Sequence, residues 1–155
     1  MMRSAHKFPL FAMAASLLVV GAMLTSSCGE DGASSGGDAE VLNAINILDK
    51  AGLHGLDEAI NQDKEIPSNA RTTAQQLQAI TNLTEWPTDD LESQADALAK
   101  IFGELAAAVD GENPDLAKAG EAATRAHDAQ HDFSHDVWEY LYEKGGVQVG
   151  GESHE

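Results

Sequence analysis

The 155-residue chain carries 26 acidic residues against 9 lysines and arginines, which gives a formal net charge of −17. A chain this acidic repels nucleic acid and anionic lipid headgroups, so binding to DNA, RNA or a membrane surface through charge is disfavoured. The single cysteine excludes an internal disulfide and any multi-cysteine zinc or iron–sulfur site. The length fits one folded domain once a leader and a linker are set aside.

Residues 1–27 are predicted to be a secretory signal peptide. Residues 1–7 carry Arg3 and Lys7 and no acidic residue, and residues 8–24 carry no charge. A basic start followed by an apolar run is typical of an export leader. The run is short for a lasting transmembrane helix, which needs about 20 apolar residues. The sequence therefore predicts export rather than membrane spanning.

The end of the leader, Leu24-Thr25-Ser26-Ser27-Cys28, resembles the lipobox of bacterial lipoproteins. That family usually places leucine three residues before the cysteine, a position that Thr25 occupies here. The resemblance covers residues 1–28 and implies a lipid on Cys28 that holds the mature protein on a bacterial membrane, facing the periplasm or the cell exterior. The alternative is an ordinary secreted protein, cut near Ala22 and left with a free thiol.

The predicted mature chain is more acidic still. Loss of Arg3 and Lys7 leaves 7 basic residues against 26 acidic ones, a net charge of −19. Residues 28–38 are small, polar and rich in glycine and serine, a composition typical of a flexible linker. The glycine-rich tail, residues 145–155, is predicted to be disordered. A surface with this negative charge favours solubility and attracts cations or a basic protein partner in the cell envelope.

Apolar residues recur at helical spacing through the rest of the chain, and no segment has the pattern of a strand. The residues predicted to face the core include Leu98, Ile101 or Phe102, Gln130, Phe133 and Val137. The pattern predicts four helices, over about residues 39–61, 69–85, 89–110 and 114–144. Short loops join them, so we predict an all-α fold, an antiparallel up-down-up-down four-helix bundle. Gly52 and Gly55 each weaken the first helix by about 1 kcal/mol relative to alanine and could bend it.

The last predicted helix carries three histidines, His127, His131 and His135, among four aromatic residues. Measured from Ala126 on the core face, these histidines lie at about 100°, 140° and 180° around the helix axis. They form a stripe that starts at the edge of the core and drifts outward. Trp138 and Tyr142 continue the same stripe, so the five side chains are predicted to be neighbours on one flank.

Histidines four residues apart on a helix can chelate one metal ion. The other histidine inside the predicted domain is His54, about 22 Å along the axis from the start of the first helix. His131 lies about 20 Å from the end of the fourth helix, so the two residues are at the same level if these helices are antiparallel. A straight first helix points His54 at solvent, so the match requires a bend at the glycines. On this basis we expect a divalent transition-metal site formed by His127, His131 and His135 with His54.

Two other interpretations of the stripe stay open. In the first, the histidines are amphipathic edge residues that bind no ion, and the domain is a non-catalytic structural or interaction subunit of a cell-envelope complex. In the second, the domain holds non-covalent haem, since some cytochromes are similar four-helix bundles with an axial ligand on the last helix. All four methionines lie in the leader, which leaves only histidine ligation for haem. As a class of protein, an enzyme ranks third, after a metal-binding module and a structural or interaction protein, because no nucleophile or arranged acid–base pair defines a reaction.

Overall fold

The computed structural model describes residues 35–146, with side chains from residue 37. The predicted signal peptide, Cys28 and the predicted linker before residue 35 lie outside the described residues, as does the tail from residue 147. The all-α prediction is confirmed for the described part, which contains five helices and no strand. Their bounds are α1 Ser35–Asp49, α2 Leu53–Asn61, α3 Ala70–Leu83, α4 Asp89–Ala108 and α5 Leu116–Lys144. None of these helices has the length and apolar character needed to cross a membrane.

The prediction of one continuous helix over residues 39–61 is wrong, because the chain breaks between α1 and α2 at Gly52. This glycine has φ 74° and ψ 31°, the left-handed region, which glycine adopts without the steric cost that a side chain brings. After the break the buried positions change phase. Leu53, Leu56 and Ile60 now face the core, and Ala59, which a straight helix would bury, is only partly covered.

The start of α1 also differs from its prediction. The helix begins at Ser35, so the last four residues of the predicted linker are helical and Asp38 lies in the first turn. The hydroxyl of Tyr140 donates a hydrogen bond to Asp38 Oδ1 at 3.2 Å, a contact across 102 residues of sequence. Composition favours coil here, but this contact with α5 favours the helical turn.

The later helices begin at side-chain caps. Thr88 precedes α4 and its hydroxyl accepts a hydrogen bond from the Leu91 backbone at 3.2 Å. Asp115 caps α5 by accepting from the Ala117 and Lys118 backbones. The helix therefore begins at Leu116, two residues after its predicted start at residue 114. The carboxylate at Asp115 satisfies the free amides of the first turn and suits the positive end of the helix dipole.

Helix α5 packs against α1, α2 and α4, and α4 packs on its other side against α3. The predicted inward residues of α4 and α5, such as Leu98, Phe102, Phe133 and Val137, are buried. Trp86, in the loop between α3 and α4, packs edge-on against Phe133 with ring centroids 4.7 Å apart.

Small residues let α2 and α5 approach closely. A Cβ at Gly120 would collide with the side chain of Asn61, whose amide donates to the Gly120 carbonyl at 3.2 Å. The same amide donates to Asp57 and Thr124. These bonds hold the helix that carries His54 against the helix that carries the other three histidines.

Candidate metal-binding groove

A groove of about 530 Å³ runs between the α1–α2 junction and the second half of α5. Its walls include all four histidines singled out by the sequence and the two aromatic residues that follow them: His54, His127, His131, His135, Trp138 and Tyr142. The predicted stripe on α5 therefore forms one continuous wall. The start of α2 supplies the opposite wall.

The break at Gly52 brings His54 to α5. Its ring centroid lies 5.3 Å from that of His127, with the ring planes inclined at 51°. A tetrahedral ion bound by two imidazole nitrogens at about 2.0 Å leaves the ring centroids about 5 Å apart. The His54–His127 pair is therefore spaced as two ligands of one ion would be. His127 is the more enclosed partner, with a side chain 27% exposed.

His131 lies one turn beyond His127 on the same wall and is exposed. In the described part of the chain, the ligand atoms of His54, His127 and His131 do not all lie within 4.8 Å of one another. The spacing of four residues on one helix face nevertheless puts His131 within reach of an ion held by His127, after rotation of an exposed side chain.

His135 lies further out, with a side chain 69% exposed. Its ring nitrogen and the carboxylates of Asp136 and Glu139 come within 4.8 Å of one another, the one such triplet of possible ligands among residues 37–146. Exposed groups of this kind are common without an ion. Glu139 was not predicted as part of the site, although it stands four residues after His135 and so shares its face.

Asp49 is the residue that the sequence interpretation missed. Its Oδ1 accepts hydrogen bonds from Ser134 Oγ at 2.7 Å and Gln130 Nε2 at 3.0 Å. Its Oδ2 accepts from the Trp138 indole at 2.8 Å. Asp49 is the last residue of α1, where the negative end of the helix dipole disfavours a carboxylate. The three hydrogen-bond donors offset this unfavourable interaction.

A signal for such a partner was present in the sequence. Gln130 was predicted to face the core, and a buried amide needs a hydrogen-bond partner from elsewhere in the fold. The spacing of residues within one helix could not identify that partner, which lies 81 positions away in the sequence.

The hydrogen bonds to Asp49 also fix the position of the aromatic end of the groove. Trp138 and Tyr142 stack with ring centroids 5.7 Å apart and planes inclined at 29°. Because Asp49 holds the Trp138 indole, the stacked pair keeps a defined position beside His135. The groove thus combines imidazoles, carboxylates and an aromatic wall.

A scan against protein-family models finds no match for this chain, and neither a search of curated proteins nor a search of solved structures returns one. What the groove can bind is therefore inferred from its own side chains. Imidazole nitrogen suits zinc, copper and nickel ions, whereas magnesium and calcium prefer sites built from oxygen alone.

Proposed function

We propose that the chain is an exported, lipid-anchored bacterial protein whose helical domain binds a divalent transition-metal ion in this groove. The observation that carries the proposal is the 5.3 Å separation of the His54 and His127 rings, which belong to different helices. The two side chains stand 73 positions apart in the sequence, so the fold and not local spacing brings them together. His131 serves as the third ligand, with water in the fourth position.

The proposed arrangement of the helices is an antiparallel up-down-up-down bundle in which α1 and α2 together form the first rod. It is supported by contacts between opposite ends of neighbouring helices. Arg71 at the start of α3 pairs with Asp110, beyond the end of α4, at 2.6 Å. Gln94 near the start of α4 donates to Asp136 in the second half of α5 at 3.0 Å. This arrangement places His54 level with His127.

The surrounding charge favours a cation. The mature chain has 26 acidic residues, and its field raises the local concentration of divalent ions near the surface. His135 and Glu139 line the outer end of the groove with Asp136 beside them, and together they offer an incoming ion a first, weak contact. We assign the protein a role in binding or handling metal rather than in catalysis, on the bacterial membrane facing the periplasm or the cell exterior.

The test is a calorimetric titration of the metal-free mature protein with zinc, nickel and copper, paired with thermal melts. We expect one ion per chain and a melting temperature that rises with metal concentration, since an ion that binds only the folded state stabilises it. His54→Ala and His127→Ala should each weaken binding by at least about tenfold, because each removes a direct ligand.

The matched control is Asp96→Ala, which removes an exposed carboxylate from α4, outside the groove. It should leave the affinity unchanged. Full affinity in His54→Ala would contradict the two-helix site and would leave α5 alone as the binding element. A purified protein with an absorption band at about 410 nm would instead identify haem.

A further inference from the structure

The outer end of the histidine groove differs in chemistry from its inner end. Trp138 lies about three turns after His127 on α5, roughly 16 Å further along the helix axis. A single ion held by His54 and His127 therefore does not reach Trp138. The groove's volume of about 530 Å³ falls within the range of small-molecule sites, roughly 300–1,000 Å³. The outer end has room for a ligand of its own.

An aromatic wall forms this outer end. Trp138 and Tyr142 both line the groove and stack with ring centroids 5.7 Å apart. Trp138 is half-buried and Tyr142 is exposed, so solvent reaches the pair. Among residues 37–146, the one basic side chain found over an aromatic ring is Lys144, which lies over Tyr140. The Trp138–Tyr142 pair therefore holds no cation of the chain's own.

The charge of the groove favours a cation beside these rings. Apart from the histidines, its charged lining residues are Asp49 and Glu139, and neither lysine nor arginine lines it. The Trp138 indole donates its hydrogen bond to Asp49 Oδ2 at 2.8 Å. A carboxylate acceptor polarises the indole and makes the ring more electron-rich. A cation is attracted to the electron-rich face of an aromatic ring, and tryptophan is the best such partner.

The hydrogen bonds of Asp49 indicate which kind of cation fits. A carboxylate offers about four acceptor positions, and three of those on Asp49 are taken by Gln130, Ser134 and Trp138. A primary ammonium brings three N–H donors that each need an acceptor. A quaternary ammonium brings none and requires only negative charge and aromatic surface. The outer end of the groove supplies both.

We infer that the outer end of the groove binds a small quaternary ammonium compound, whose alkylated nitrogen packs on Trp138 and Tyr142 close to Asp49 and Glu139. The compound carries a net positive charge, because the acidic surface around the groove repels an attached phosphate. The inference goes beyond the metal proposal and does not rest on it, since none of these four side chains is a proposed ligand of the ion.

The experiment is a nuclear magnetic resonance titration of the ¹⁵N-labelled mature protein with choline, in the presence of a chelator that removes metal. The indole N–H signal of Trp138 should shift, with a dissociation constant on the order of 1 mM. Trp86 is buried and its indole donates to the Thr81 carbonyl, so its signal should stay in place as an internal reference. Trp138→Phe removes one of the two signals and so assigns both.

Two further compounds test the chemistry of the ligand. The alcohol 3,3-dimethylbutan-1-ol has the shape of choline with carbon in place of the nitrogen, and it carries no charge. It should bind at least about fivefold more weakly than choline, because the cation–π attraction is lost. Phosphocholine should also bind more weakly. Equal binding of the neutral alcohol, or tighter binding of phosphocholine, overturns the inference.

A matched pair of variants tests the role of the groove's charge. Asp49→Asn keeps an acceptor for the indole but removes the charge, and should weaken choline binding by about fivefold. Asp132→Asn removes an exposed carboxylate of α5 that does not line the groove, and should leave the affinity unchanged. Circular dichroism checks that both variants fold. A Trp138 signal that about 20 mM choline does not move contradicts the inference, as does full affinity in Asp49→Asn.

Discussion

Asp49 shows how much one carboxylate can organise. It ends α1, yet its hydrogen-bond partners Gln130, Ser134 and Trp138 all belong to α5. Gln130 and Ser134 are buried, so without the carboxylate their polar atoms lose a charged acceptor in a place with little water. The same residue positions the aromatic wall of the groove through Trp138.

Asp49→Ala is expected to lower the free energy of unfolding by about 2 kcal/mol, because it leaves buried donors short of an acceptor. Asp49→Asn should cost less, since the amide oxygen keeps one acceptor. Urea unfolding monitored by tryptophan fluorescence measures both. The control Asp132→Ala removes an exposed carboxylate from α5, the helix that carries the partners of Asp49, and should change stability by less than about 0.5 kcal/mol. Equal effects at the two positions would show that the network adds no stability.

At the scale of elements, the junction between α1 and α2 decides the character of the site. A continuous helix would carry His54 away from α5. The left-handed turn at Gly52 instead presents it to His127, and it also turns Leu53 into the core. The hydrogen bond from the Leu56 backbone to the Gly52 carbonyl, 3.0 Å, begins the new helix.

Gly52 and Gly55 form a matched pair for testing this junction, because a Cβ at either position meets open space. Gly52→Ala should destabilise the protein by about 1 kcal/mol, since a side chain makes the left-handed conformation costly. Gly55→Ala lies within α2 and should stabilise it by up to about 1 kcal/mol, the difference in helix propensity. Denaturant melts of the two variants give the comparison. Stabilisation by both substitutions would mean that the helix runs straight through residue 52.

At the scale of the whole molecule, the charge pattern separates two kinds of surface. Carboxylates cover α2, α4 and α5, including the helices that carry the four groove histidines. By contrast, residues 41–48 of α1 and residues 66–84, which include all of α3, contain no acidic residue. A cation is therefore drawn to the surface formed by α2, α4 and α5.

The proposed lipid anchor is also a property of the whole chain, and its test requires the native N-terminal sequence. In a bacterium that processes lipoproteins, the wild-type chain should fractionate with membranes and incorporate labelled fatty acid. Cys28→Ser should move the protein to the soluble fraction, because it removes the only thiol. Ser27→Ala keeps a small residue before the cysteine and should remain attached. Membrane attachment of Cys28→Ser would exclude the lipid.

The sequence by itself predicted the all-α class, the approximate extent of α3, α4 and α5, and inward residues such as Leu98 and Phe133. These features follow from the period of a helix, which is a local property. It also predicted the histidine stripe on α5, since neighbours on one face of a helix are set by spacing alone.

Tertiary structure alone decided the break at Gly52, the position of His54 and the partners of Asp49. Glycine permits a left-handed turn but does not impose one. With the turn in place, Leu48 before the break and Leu53 after it are both buried, and α1 and α2 both pack against α5. The contacts that result join residues 73 to 89 positions apart, and no periodic pattern in one segment contains information about such pairs.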